Sequence, residues 1–247
     1  MAVCIGVMLV AAGSSVFNQV QEAVPDKIME RTRRRPIPAG TISKTQAIVF
    51  AIIISLSGVL ILWFLASPVS SLLAIITLAG YNLIYTPLKS ITFFALIPGA
   101  MVGALPPAIG WAAGGGSLGH SLIILVGFFF FMGQIPHFWL ILLRHEKDYL
   151  RAGFPALTSF FNQKQISRLT MTWILALMAA AIFLPFFGVI QSKAITTVVV
   201  TLTLLLVSVF VHDLTGSKPL KTYRAFIILN SYFLFMMLIL IADSLLR

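Results

Sequence analysis

Charge is scarce in this sequence. Only 10% of its 247 residues are Asp, Glu, Lys or Arg, where soluble domains carry about a quarter. Acidic residues are scarcer still, seven against 17 basic ones, and cysteine occurs once, at Cys4. So little charge excludes a disordered chain and a water-soluble globular fold. A single cysteine excludes a disulfide scaffold. The formal net charge of +10 does not point to nucleic acid, because the basic residues are not interleaved with aromatics as a stacking platform requires.

What the sequence has instead is apolar length. Hydrophobic residues make up 59% and the mean hydropathy is +1.01. Apolar runs broken by polar or Gly/Pro punctuation fall at about 1–21, 45–66, 69–86, 92–113, 118–143, 168–190, 193–212 and 223–245. Each has about the 20 residues that a spanning helix needs, and none shows the short alternating segments of a membrane barrel. The expectation is an all-α polytopic membrane protein, a single domain of eight spans in the lipid bilayer.

Basic residues give the orientation. The segments after the first, third, fifth and seventh spans hold fifteen of the 17, from Lys27 to Arg224, and the opposite side has only Lys193 and Arg247. Positive charge collects in cytoplasmic loops, so these four segments are expected in the cytoplasm and both termini outside. Residues 1–17 have no positive flank and no small-residue cleavage site, so they are not read as a signal peptide.

Five of the seven acidic residues lie in two of these loops, Glu22, Asp26 and Glu30 in one, Glu146 and Asp148 in the other. Asn18, Glu22 and Asp26 recur every four residues and share one face while a helix continues. Pro25 removes the donor that would bond the carbonyl of Gln21, so a bend is expected just before Asp26. Hard oxygens converging at a helix end suit Mg2+, which is commonly shared with substrate phosphates. Five basic residues between Lys27 and Arg35 suit a diphosphate, although for the arginine run alone a topogenic loop is the simpler account. The second loop follows His137, which lies inside the end of a span and reads as a base, a haem ligand or a hydrogen-bonded helix contact. Asn18 to Pro36 and His137 to Pro155 have the same separation, four spans apart, which suggests an ancient duplication.

Two further stretches carry signal. Tyr85 and Lys89 stand four residues apart at a cytoplasmic span end, in reach of a phosphate; an interfacial tyrosine and a topogenic lysine are the plain alternative. Pro106 and Pro107 must break the fourth span, which shapes a pocket or tightens packing. The Phe128–Phe131 run is expected to face lipid.

Together these stretches resemble the UbiA-type intramembrane prenyltransferases, and within them the protoheme IX farnesyltransferase (haem O synthase) family. Asn18, Glu22, Asp26, Met29, Arg31, Thr32, Arg35, Pro36 and Gly40 fill the family's first motif. Tyr85-Thr-Pro-Leu-Lys89, Gly103 to Trp111, Pro136-His137-Phe138-Trp139, and Lys147-Asp148-Tyr149 followed by Ala152-Gly153 and Pro155 match its later ones. The resemblance implies nine helices around a cavity, with the two acidic motifs facing each other. The eight spans here correspond to helices two to nine, so a further helix ahead of Met1 is expected.

It also implies Mg-dependent farnesyl transfer from farnesyl diphosphate to a vinyl group of haem b, in the cell (inner) membrane. Catalysis falls to Asn18, Glu22, Asp26, His137 and Asp148. The metal falls to Glu22, Asp26 and Asp148, and substrate binding to Arg31, Arg35, Tyr85, Lys89, Trp139 and Tyr149. An assembly partner such as haem A synthase or a terminal oxidase is compatible with that role. The sequence departs from the family pattern at Glu22 (usually Asp), at Ile135 (usually Pro) and at Ala156–Ser159, where Met-Leu-Pro-Val is usual. The other readings are a quinone-type aromatic acceptor, a non-catalytic membrane protein binding haem through His137 and His212, and a transporter whose broken helix lies at Pro106-Pro107.

Overall fold

A computed structural model describes residues 1–215 and 222–246. Lys218, Lys221 and Arg247, three of the charges counted above, lie outside the described residues. Among those residues the chain is all α, and eight helical segments are long and apolar enough to cross a membrane. They fall where the apolar runs predict.

The chain divides into two compact units. One is Met1–His120 with His145–Ala156; the other is Ser121–Arg144 with Leu157–Arg247. The first comprises α1 (Ala2–Gln21), α2 (Ala23–Ile28), α3 (Lys44–Leu65), α4 (Pro68–Ala79), α5 (Thr86–Leu88), α6 (Leu96–Gly103), α7 (Pro106–Ala113) and α9 (Glu146–Arg151); the second comprises α8 (Ser121–Arg144), α10 (Gln163–Phe186), α11 (Lys193–Thr215) and α12 (Thr222–Leu245).

In the first unit α1 lies against α3 through small residues. The positions of a side chain on Gly58 are taken by the backbone oxygen of Gly6 and by Val10, and those on Gly13 by Ser55 and the carbonyl of Ala51. Membrane helices have no hydrophobic drive toward each other and associate by such close packing. Gly58→Val is therefore expected to push α1 off α3 and destabilise the protein by about 1–3 kcal/mol. The check is its melting temperature in detergent, and an unchanged value would contradict the packing described.

Two spans are discontinuous, each for a proline reason. The fourth breaks at Ala104-Leu105, where Pro106 and Pro107 start α7, as the sequence predicts. The third widens into a π-helix over Gly80–Tyr85, which the sequence reading did not anticipate. Pro87 clashes with an α-helical turn before it and has no N–H to give. The i→i+5 turn moves the backbone out of that clash, and such turns frequently mark functional sites.

In the second unit the core is formed by Phe129, Leu140, Ile174, Leu177, Leu184, Phe210, Leu229 and Met236. The expectation that Phe128–Phe131 faces lipid is corrected here. Phe128 is exposed, but Phe129 is fully buried and packs edge-on and tilted against Phe130, Phe233 and Tyr232. Four consecutive helical residues cover the whole circumference, so such a run cannot present a single face. Inside the span, Thr203 and Tyr232 share a hydrogen bond of 2.9 Å. At the far end, the buried Asp243 carboxylate accepts from the backbone N–H groups of Gln191 and Ser192 and so closes the turn into α11.

Candidate active site

The first acidic motif is built by an interrupted helix. α1 ends at Gln21, Glu22 leaves helical geometry, and α2 resumes for six residues. The cause is Pro25, which cannot donate to the Gln21 carbonyl; Glu22 and Asp26 still donate their N–H groups to the carbonyls four residues back, at 2.9 and 2.8 Å. Asn18, Glu22 and Asp26 therefore keep a common face, and all three are buried.

Each buried polar group has a specific neighbour. Asn18 donates through Nδ2 to Thr86 Oγ1 at 3.2 Å, and that hydroxyl donates to the Tyr81 carbonyl at 2.9 Å. Asp26 accepts a 2.9 Å charged hydrogen bond from Arg35 Nη1. The buried Thr32 hydroxyl donates to the Asp26 carbonyl at 3.1 Å, which ties down the loop that brings Arg35 back. Glu22 Oε1 lies 2.5 Å from Lys89 Nζ. That contact is a charge pairing without directed hydrogen-bond geometry, and Oε1 is otherwise a buried oxygen with no hydrogen-bond donor.

The π-helix completes this arrangement. In the widened register Thr86 N–H bonds the Tyr81 carbonyl, and the next donor in line, for the Asn82 carbonyl, falls on Pro87. Gln21 Nε2 fills the vacancy with a 2.8 Å hydrogen bond. Asn82 Nδ2 donates to Ser14 Oγ at 2.7 Å, a second tie to α1. Thr86→Val removes the hydroxyl joining α1 to this turn and is expected to cost about 1–2 kcal/mol, read as a lowered melting temperature; no change would contradict the bridge.

The second acidic motif repeats the plan of the first. α8 ends at Arg144, His145 leaves the helix, and α9 runs for the six residues Glu146–Arg151. α9 belongs to the same unit as α1 and α2, so the structure joins the two loops that the sequence pairs. Tyr149 and Phe154 are buried with ring centroids 5.5 Å apart. Lys89 Nζ sits 5.6 Å from the Tyr85 centroid and 5.7 Å from that of Phe154, so aromatic faces and Glu22 enclose the ammonium. Burial raises the Tyr149 phenol above its ordinary range, with Arg31 opposing and Glu22 and Asp26 reinforcing the shift. The same charges place α9 within electrostatic reach of the first motif, and Glu22 also acts on Tyr81 and Tyr85.

Asn18, Glu22, Asp26, Arg31, Arg35, Tyr85, Lys89, Asp148 and Tyr149 thus fall in one unit. Arg31 is exposed and Asp148 half-buried. His137 and Trp139 lie on α8 in the other unit. Trp139 is buried, and its indole N–H has no hydrogen-bond partner among the described residues. His137 Nδ1 is 2.9 Å from Asn230 Oδ1. His212, the other imidazole considered from sequence, is exposed and pairs with Asp213. Asn82, Thr86, Gln21 and Asn230 were not assigned roles from the sequence. Only the proline at 87 hinted at the first three, and nothing local pointed to Asn230, 93 positions from its partner.

The donors suit Mg2+ by chemistry: carboxylate oxygens, one of them buried and without a hydrogen bond. Among the described residues, no three carboxylate, imidazole or thiol groups stand close enough together to hold an ion. Glu22 and Asp26 are each held by a cation instead.

Comparison with known proteins extends this picture. A family profile described as the UbiA prenyltransferase family matches residues 1–239. A protoheme IX farnesyltransferase of Geobacter sulfurreducens is 44% identical over 188 residues, covering 76% of this chain and 69% of that protein. The protein of the same name from Oleidesulfovibrio alaskensis is 35% identical over 240 residues, covering 97% and 83%. Among solved structures, a digeranylgeranylglyceryl phosphate synthase superposes with a TM-score of 0.77 at 14% identity, over 100% of this chain and 85% of that one. A UbiA homologue from Archaeoglobus fulgidus bound to GPP and Mg2+ superposes with a TM-score of 0.72 at 14% identity, over 98% and 86%. At these identities the structural likeness speaks for the fold.

Proposed function

The chain belongs to the UbiA prenyltransferase family, and from that premise we propose that it transfers a farnesyl group from farnesyl diphosphate to a vinyl group of haem b, forming haem O. It is a multi-pass membrane prenyltransferase. The observation that carries the reading is the meeting, in one unit, of two acidic motifs with Arg35 and Lys89 already seated on the carboxylates. The names of the two relatives above support the donor and acceptor. The proposed location is the cell (inner) membrane, and the distribution of basic residues supports acidic loops on its cytoplasmic side.

Glu22, Asp26 and Asp148 would hold Mg2+ once Arg35 and Lys89 pass from Asp26 and Glu22 to the diphosphate, with Asn18 fixing the helix end through its carbonyl, which accepts the Glu22 N–H. When bound, the metal neutralises charge on the diphosphate and eases its departure. Arg31, Arg35 and Lys89 supply fixed positive charge where the leaving group becomes more anionic. Tyr85 and Phe154 wall the ammonium of Lys89 beside Glu22, and Tyr149 backs the Phe154 ring. Departure of diphosphate leaves an allylic carbocation, which apolar walls shield from water until the terminal vinyl carbon attacks it. The cation left on the inner vinyl carbon then takes up a water molecule, which gives up a proton to become the hydroxyl of haem O. Trp139 and His137 serve the acceptor, the first with an unused indole N–H, the second with an imidazole nitrogen.

The quinone-type acceptor is separated from haem b by a direct contest. Diphosphate release from farnesyl diphosphate is followed with each acceptor supplied alone to the protein in membranes. Release that depends on haem b supports the reading, and release driven only by the quinone-type aromatic overturns it.

A further inference from the structure

His137 sits on α8 about two turns, or roughly 10 Å, before the charged end of the span. Its Nδ1 faces the side-chain amide of Asn230 on α12 at 2.9 Å. The amide is itself held: Asn230 Nδ2 donates to the Phe226 carbonyl at 2.7 Å. A carbonyl only accepts, so the NH2 end of the amide must face Phe226 and the oxygen must face His137. An amide oxygen likewise only accepts, so the hydrogen on the neutral imidazole is carried by Nδ1. The remaining nitrogen, Nε2, then presents a lone pair and has no hydrogen-bond partner among the described residues. The ring is also braced, with the Phe226 ring centroid 5.3 Å away and Phe138 edge-on at 5.6 Å.

We infer that Asn230 is a positioning residue that fixes His137 as the Nδ1-protonated tautomer, so that Nε2 is offered as an axial ligand to the iron of the haem acceptor. The inference rests on the haem-acceptor reading and deepens it. The arrangement is that of a metal-binding histidine whose second nitrogen is oriented by a carbonyl or carboxylate. A histidine serving only to join α8 to α12 needs no free second nitrogen, and a hydrocarbon-depth imidazole with one is costly unless it is used. A neutral nitrogen ligand to the iron seats the porphyrin at a set depth and orientation.

Haem b is titrated into the full-length protein in detergent, and its absorption and electron paramagnetic resonance spectra are recorded for wild type, Asn230→Leu, Asn230→Asp and His137→Gly. Wild type should show a nitrogen-ligated iron. His137→Gly should lose that signature and regain it on addition of imidazole. Asn230→Leu, which leaves Nδ1 without an acceptor, should weaken haem binding by about 10- to 100-fold. Asn230→Asp keeps an oxygen in place and should retain both the signature and most of the affinity, which separates tautomer control from loss of fold. Unchanged spectra and affinity in His137→Gly and Asn230→Leu would overturn this assignment while leaving haem as the acceptor. Wild-type protein that binds no haem overturns the acceptor reading, and this assignment with it.

Discussion

Asp26→Ala is expected to lower farnesyl transfer by about a hundredfold to a thousandfold, the loss that follows removal of a group acting on developing charge, while the protein still inserts and stays folded. Asp26 is 2% exposed, on a helix face shared with Asn18 and Glu22, and its carboxylate is bound to Arg35. Two consequences of the substitution must be kept apart. The orphaned Arg35 is about a third exposed, with a side-chain accessibility of 31%, so water takes over its solvation and the stability cost stays near the ~1 kcal/mol of a surface pair. That cost is too small to unfold the protein. Loss of turnover with a nearly unchanged melting temperature therefore reads as loss of chemistry. Retained turnover in this variant would remove Asp26 from the mechanism.

Arg35→Ala is expected to move the two ligands of the site in opposite directions. Arg35 holds Asp26, and Lys89 holds Glu22, so the groups assigned to the diphosphate now neutralise the groups assigned to the metal. Binding of either ligand alone strips a cation or a carboxylate of its partner, whereas binding of both replaces each ion pair by a new one. Removing Arg35 should weaken farnesyl diphosphate binding about tenfold, or roughly 1.4 kcal/mol, because a charge-assisted contact is lost. Binding of Mn2+, used as a paramagnetic stand-in for Mg2+ without diphosphate, should tighten because Asp26 is released. Calorimetry gives the first number and electron paramagnetic resonance the second. Metal binding that weakens along with diphosphate binding would contradict the competition.

The spans were readable because each is an uninterrupted apolar run, and burial in lipid leaves helix as the only open-ended solution for the backbone. The acidic motifs were readable for a related reason: carboxylates are costly near a membrane, so clusters of them stand out against a background of seven. The breaks at Pro25 and Pro106-Pro107 followed from proline chemistry. Pro87 carried the same information, yet the π-turn was not inferred, since proline allows a kink, a break or a widened turn, and the choice depends on Gln21 being near enough to cap the Asn82 carbonyl. Phe129 was misread because a residue run does not reveal which flank meets a neighbouring helix. Asn230 was invisible because a tautomer-setting amide is recognised only by the ring it faces. The pairing of Glu22 with Lys89, and not with a third carboxylate, is likewise a matter of tertiary distance that spacing along the chain cannot supply.

The central claim is a metal-assisted transfer of a farnesyl group to haem b, and mass analysis of the haem tests it most directly. Membranes containing the protein are incubated with haem b, farnesyl diphosphate and Mg2+, with and without a chelator, and the extracted haem is weighed by mass spectrometry. The prediction is a new haem heavier by one farnesyl group and one hydroxyl, formed only when the chelator is absent. Haem b recovered unchanged under both conditions, while the same membranes prenylate a different acceptor, would contradict it.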